Sequence, residues 1–258
     1  VTFDAIASLA TGATWALLLI AYGLRVRRRG AFRSDRVAGV GGTVVMGEGI
    51  MQATYWGIEP VVRGLVKLKL TPNAITTIAL LFGLGAGVAC AAGLFGLACA
   101  CATISTICDI LDGQVARFTK TGSAKGELYD AVVDRYTEFA LIAGFVVYAR
   151  DSWVLVAIAL AALHASFMIS YASAKAEALR VDVPRGLMRR HERATVLTLT
   201  AGLVPLVDPA LLARFPALPY GTTLACGLAL VAAIGTASTI TRFARIYRAL
   251  GELRSEPR

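Results

Sequence analysis

The chain has 258 residues, of which 57% are hydrophobic and only 17% charged, where a soluble domain carries about 25% charged residues. That balance excludes one soluble core as the home of so much apolar sequence and points to membrane-spanning runs. A formal net charge of +9 would suit a nucleic-acid partner, but the charges are placed by membrane side, which excludes that class.

Seven apolar runs are candidate spans, near residues 5–24, 73–93, 95–117, 127–149, 152–178, 194–207 and 219–241. A helix needs roughly 20 apolar residues to cross the hydrocarbon. The predicted fold is all-α: a polytopic membrane bundle of six core helices, with an extra N-terminal transmembrane helix and an interfacial amphipathic helix. Residues 1–30 are predicted to form an anchor helix rather than a cleaved signal, because the basic run RVRRRG follows the apolar stretch. Residues 31–70 are predicted to be a cytoplasmic or interfacial connector, made flexible early by Gly39, Gly41 and Gly42. In its second half Tyr55, Trp56, Ile58, Val61, Val62, Leu65 and Val66 alternate with Arg63, Lys67 and Lys69, a pattern suited to the headgroup region. The GVGG run lacks the following GK[ST] of a phosphate loop. Residues 71–248 form the predicted catalytic bundle and 249–258 a cytoplasmic tail. Thr71 and Pro72 suit the cap and first turn of the bundle's first helix, which puts Asn73 and Thr76 at its cytoplasmic mouth.

Lys and Arg cluster in 25–36, 63–69, 120–125, 180–193 and from 242 onward, whereas the opposite side receives only Arg150 and Arg214. This positive-inside pattern predicts an N-terminus outside, a C-terminus in the cytoplasm and a basic face that attracts membrane lipids. The expected location is a bacterial inner membrane. Five cysteines, Cys90, Cys99, Cys101, Cys108 and Cys226, lie in apolar runs without metal-ligand spacing and are predicted to be packing residues. His164 is predicted to pack within the bundle.

The chemistry concentrates in residues 109–134, DILDGQVARFTKTGSAKGELYDAVVD. Each membrane carboxylate costs roughly 2.5 kcal/mol or more, so a set of four demands cations, and hard oxygen ligands suit Mg²⁺ or Mn²⁺. Asp109 and Asp112 are three apart, and Asp130 and Asp134 four apart, so each pair shares a helix face. The short intervening loop predicts antiparallel neighbouring helices, and equal depth then pairs Asp109 with Asp134 and Asp112 with Asp130. Gly113, Ala116 and Gly126 leave room beside the acids, and Arg117 offers a planar donor to phosphate. Together they suit transfer of a phosphoryl-type group. A set of buried acid–base pairs, a membrane prenyltransferase and a cation transporter are the alternatives. The prenyltransferase lacks an Asp at Ala116, and the transporter lacks repeated halves.

The spacing Asp109-x2-Asp112-Gly113-x2-Ala116-Arg117-x8-Gly126-x3-Asp130-x3-Asp134 resembles the signature of the CDP-alcohol phosphatidyltransferases, over roughly 71–247. The resemblance implies attack of an acceptor hydroxyl on the β-phosphate of a CDP-lipid such as CDP-diacylglycerol, with release of CMP. It implies two metal ions on Asp109, Asp112 and Asp130, with Asp134 touching a metal and serving as general base. It further implies that Asn73, Thr76, Gly113, Ala116, Arg117, Ser123 and Gly126 hold the CDP-lipid, and that the protein is a homodimer. Segment Tyr171–Arg193 is similar to the phosphatidylinositol-phosphate synthase branch, which makes inositol phosphate the expected acceptor and Lys175, Arg193 and Arg242 its expected contacts. Inositol, glycerol 3-phosphate and serine remain alternative acceptors, since the branch's acid-Arg pair is here Arg189-Arg190.

Overall fold

The computed structural model describes residues 2–34, 37, 47–182 and 186–255, with side chains to Gly251. Gly39, Gly41, Gly42 and Arg185 lie outside the described residues. Eight helices follow in order: α1 (Phe3–Arg29), α2 (Glu48–Lys67), α3 (Pro72–Ala91), α4 (Phe95–Thr119), α5 (Ala124–Tyr148), α6 (Trp153–Ala178), α7 (Arg190–Arg214) and α8 (Thr222–Ser255). No strand occurs among the described residues.

Among the described residues six helices are long and apolar enough to cross a membrane. The seventh expected span, α5, is equally long, but it carries Asp130, Asp134, Arg135 and Glu138. The outward surface carries Leu17, Leu81, Val88, Trp153 and Ile240, as lipid contact requires. Inside, the helices meet through small residues, among them Ala86, Ala98, Ala159, Ala162, Ala172 and Ala201. Lipid tails are as apolar as leucine, so close van der Waals packing rather than exclusion from water joins such helices.

Helices α4 and α5 were expected to be packed neighbours. They are joined by a short turn, but both pack chiefly on α3 and touch each other little. The cause is a glycine seam. A Cβ on Gly87 would collide with the Ala140 carbonyl, and one on Gly144 with the Gly87 carbonyl, so α3 and α5 approach backbone to backbone. Thr71 caps α3 by accepting from Ala74 N at 3.3 Å, as its sequence predicts. Ser123 caps α5 in the same way, accepting from Gly126 N at 3.2 Å, and Lys120 ends α4 in the left-handed conformation, φ 55°.

Two expectations shift. The expected span 194–207 is short, yet α7 runs from Arg190 to Arg214 through Pro205 and Pro209. Asp208 is fully buried and accepts from the backbone of Gly221 (2.6 Å) and Thr223 (3.3 Å), capping α8 from a neighbouring helix. His164 stands on the exposed face of α6 instead of inside the bundle. All five cysteines are free thiols; Cys90 and Cys99 are buried, while Cys226 is exposed.

The glycine seam gives a direct test. Gly144→Ala is expected to lower the thermal midpoint in detergent, since overpacking costs about 1–3 kcal/mol. Gly85→Ala, whose added Cβ meets only Cys101 Sγ at 3.9 Å, is expected to melt like the wild type or slightly above it.

Candidate active site

The hairpin turn between α4 and α5 brings three acids together. Asp109, Asp112 and Asp130 each offer a carboxylate oxygen, all within 4.8 Å of one another. Asp112 is buried, and Thr76 of α3 donates to its Oδ2 at 2.6 Å. Thr76, expected on the CDP-lipid, therefore also orients an acid, because α3 is the helix on which both acid-bearing helices pack. Asp130 Oδ1 is buried without a hydrogen-bond partner. An orphaned carboxylate oxygen beside two more carboxylates, all hard donors, fits a divalent cation such as Mg²⁺ or Mn²⁺.

The fourth acid stands slightly apart. Asp134 is buried and paired with Arg190, whose other nitrogen, Nη1, donates to Asp109 Oδ1 and Oδ2 at 3.0 and 3.1 Å. One guanidinium thus bridges the two acids that equal depth had paired. Arg190 stood in the sequence only as one of the loop cations. No spacing from 109–134 could reveal it, because it arrives on α7. That helix begins there because Glu192 Oε2, in its first turn, accepts from Arg189 N at 2.9 Å.

Beside the acids opens a cavity of about 940 Å³. It is lined by Asp109, Asp112, Asp130 and by every residue expected on the CDP-lipid: Asn73, Thr76, Gly113, Ala116, Arg117, Ser123 and Gly126. Arg117 folds back over Gly113, where an added Cβ would lie 3.3 Å from its guanidinium. Gly113 therefore makes room for the arginine itself as well as for a ligand. Asp134 does not border this space. It lines a separate void of about 60 Å³ with Thr137 and Glu138, and Arg190 borders both.

The family model of the CDP-alcohol phosphatidyltransferases matches residues 69–239. The chain belongs to the CDP-alcohol phosphatidyltransferase family. It is similar to the phosphatidylinositol phosphate synthase of Corynebacterium glutamicum, 37% identical over 166 residues, 59% of this chain and 72% of the relative. The corresponding synthase of Mycobacterium tuberculosis is 30% identical over 203 residues, 75% of this chain and 87% of that one. A crystal structure of the Mycobacterium tuberculosis enzyme with CDP-DAG bound superposes with a TM-score of 0.62 at 26% identity, covering 73% of this chain and 92% of that chain. Another, in complex with manganese and citrate, gives 0.62 at 26% identity, covering 73% and 88%.

In this phosphatidyltransferase the expected acceptor contacts Lys175, Arg193 and Arg242 line neither cavity. Arg193 is fully buried; its Nε and Nη2 donate to Glu138 at 2.6 and 3.0 Å, and its Nη1 to the Met188 carbonyl at 2.8 Å. As placed, it holds α7 to α5. Arg242 donates to Ser173 Oγ and leaves its buried Nε without a partner. Lys175 is exposed on α6.

Asp130→Asn is expected to abolish most of the rise in thermal midpoint that Mg²⁺ or Mn²⁺ confers on the wild type, because ligand binding stabilises in proportion to affinity. Thr76→Val is expected to weaken the same metal-dependent shift without abolishing it, since it removes one hydrogen bond, worth about 0.5–1.5 kcal/mol, and keeps all ligands.

Proposed function

We propose that this enzyme transfers the phosphatidyl group of CDP-diacylglycerol to an inositol phosphate, releasing CMP, at the cytoplasmic face of a bacterial inner membrane. The observation that carries the reading is the cluster of Asp109, Asp112 and Asp130 oxygens at the edge of a 940 Å³ cavity whose other lining includes Gly113, Ala116, Arg117 and Gly126. Similarity to phosphatidylinositol phosphate synthases over most of the chain supports the acceptor. The basic loops support a cytoplasmic site and an outside N-terminus. The family resemblance supports a homodimer.

Asp109, Asp112 and Asp130 would hold two divalent ions, with Asp134 at their margin. Bound Mg²⁺ or Mn²⁺ supplies neutralisation of the diphosphate charge and eases departure of CMP. Arg117 presents its planar fork to a phosphate oxygen, and Gly113 and Gly126 let the substrate lie close to the main chain. Asp134 accepts the proton of the acceptor hydroxyl, an unreactive nucleophile without a base. The acceptor oxygen bonds to the β-phosphorus as the bond from that phosphorus to the oxygen of CMP breaks, and CMP leaves with the electron pair. Asp134 is paired with Arg190, so proton uptake requires that pair to open. Arg242, with its unpartnered Nε, and Lys175 suit the acceptor's phosphate, for which charge-assisted donors are needed.

The test is CMP release by the purified chain given CDP-diacylglycerol, Mg²⁺ or Mn²⁺, and in turn inositol 1-phosphate, inositol, glycerol 3-phosphate and serine. Release is expected with inositol 1-phosphate, and Asp134→Asn is expected to lower kcat roughly 10²–10⁴-fold. Product from serine or free inositol alone would overturn the acceptor assignment. No release with any acceptor would overturn the reaction.

A further inference from the structure

The first two helices lie outside the matched region, which begins at residue 69. They are nevertheless built into the site. Along α2, Met51, Tyr55, Ile58 and Val62 form one stripe at helical spacing. Ile58 and Val62 are buried against Ile75 of α3 and Leu111 and Val115 of α4, so this stripe docks on the helix that carries Asp109 and Asp112. One turn toward the start of α2, Met51 and Tyr55 line the 940 Å³ cavity.

The other side of α2 is held by α1. The rings of Tyr22 and Trp56 pack with centroids 5.8 Å apart. Leu18 fills the space that a Cβ on Gly57 would need, and Gln52 accepts from Ser34 N at 2.8 Å. At its far end α1 is tied to the catalytic bundle. Asp4, itself buried, accepts from Leu97 N at 2.9 Å in the first turn of α4, whose own cap residue Leu94 provides no side-chain bond. Helix α1 therefore grips α4 at one end and α2 at the other.

We propose that Tyr55 contacts the nucleotide end of the CDP-lipid and that α1, acting through the Tyr22–Trp56 contact, is the clamp that holds Tyr55 in place. The proposal rests on the CDP-lipid reading above. The diphosphate belongs beside the acids and Arg117, so the Tyr55 wall meets the next part of the ligand. Lys69, Thr71 and Asn73 line the same cavity as Tyr55. A polar and cationic rim suits a base and ribose, not acyl chains, which must leave toward lipid. A phenol ring offers a flat face to a planar base and a hydroxyl to its edge, and base–aromatic stacking is tolerant of geometry.

The experiment measures CMP binding by calorimetry to the detergent-purified full chain, alongside KM and kcat for CDP-diacylglycerol. Tyr55→Leu, which keeps bulk but not the ring, and Tyr55→Ala are both used, each with its thermal midpoint recorded. The expected result is a weakening of CMP binding and a rise in KM of roughly five- to a hundredfold, with kcat within about twofold and Tyr55→Phe retaining most of the affinity. Trp56→Ala, which touches no substrate, is expected to shift both constants in the same direction by a smaller factor, with kcat kept. Unchanged CMP binding in both Tyr55→Leu and Tyr55→Ala, with or without a raised KM, overturns the nucleotide contact. A Trp56→Ala chain that melts earlier but binds CMP as the wild type does overturns the clamp. A wild type that neither binds CMP nor releases it removes the parent reading instead.

Discussion

Four carboxylates inside a membrane bundle must be met by positive charge, and the rest of this structure is arranged around that constraint. Asp109, Asp112 and Asp130 converge closely enough for shared ligation, while Arg190 spans Asp109 and Asp134. Like charges so placed repel strongly in a medium of low dielectric. They are tolerable only where cations reach them, which explains their position beside an open cavity rather than deep in the apolar core. The acids belong to the ends of α4 and α5 that the hairpin turn joins. The opposite half of the bundle is occupied by the aromatic group of Phe95, Phe145, Tyr148 and Tyr220.

Holding the acids in register falls to a helix that carries none of them. Helix α3 packs on both α4 and α5, closely on α5 through Gly87 and Gly144, and its Thr76 fixes one Asp112 oxygen. Small residues make that approach possible, and the approach makes the cage rigid. A second layer of support comes from Arg193 and Glu138, a fully hydrogen-bonded buried pair that keeps α7 against α5. Such pairs are poor sources of net stability but good sources of register. Here the register matters because α7 is what delivers Arg190.

The outer helices extend the same logic. Asp4 and Asp208 each cap the start of a helix to which they do not belong. Both carboxylates interrupt apolar runs, and both are spent on backbone N–H groups that a bilayer would leave unsatisfied. Helix α1 thus joins the bundle through its cap contact with α4 and through its aromatic contact with α2.

What the sequence by itself determined was the class of protein and the composition of its site. Apolar runs of bilayer length, cations confined to alternate loops, and the spacing from Asp109 to Asp134 are local properties. Helical periodicity alone converts them into spans and a shared acid face. The Thr71 cap was local in the same sense. Tertiary structure alone decided which side chains arrive from elsewhere. Arg190 meets the acids from α7, across 81 positions of chain from Asp109; Thr76 turns from a cavity-lining residue into a brace for Asp112. Arg193 goes into the bundle, because Glu138 lies opposite it. Asp208, beyond the expected span, serves as the cap of the next helix. In each case the partner is fixed by how helices pack, and packing depends on glycine and alanine contacts between residues far apart in the chain, which no periodicity within one helix records.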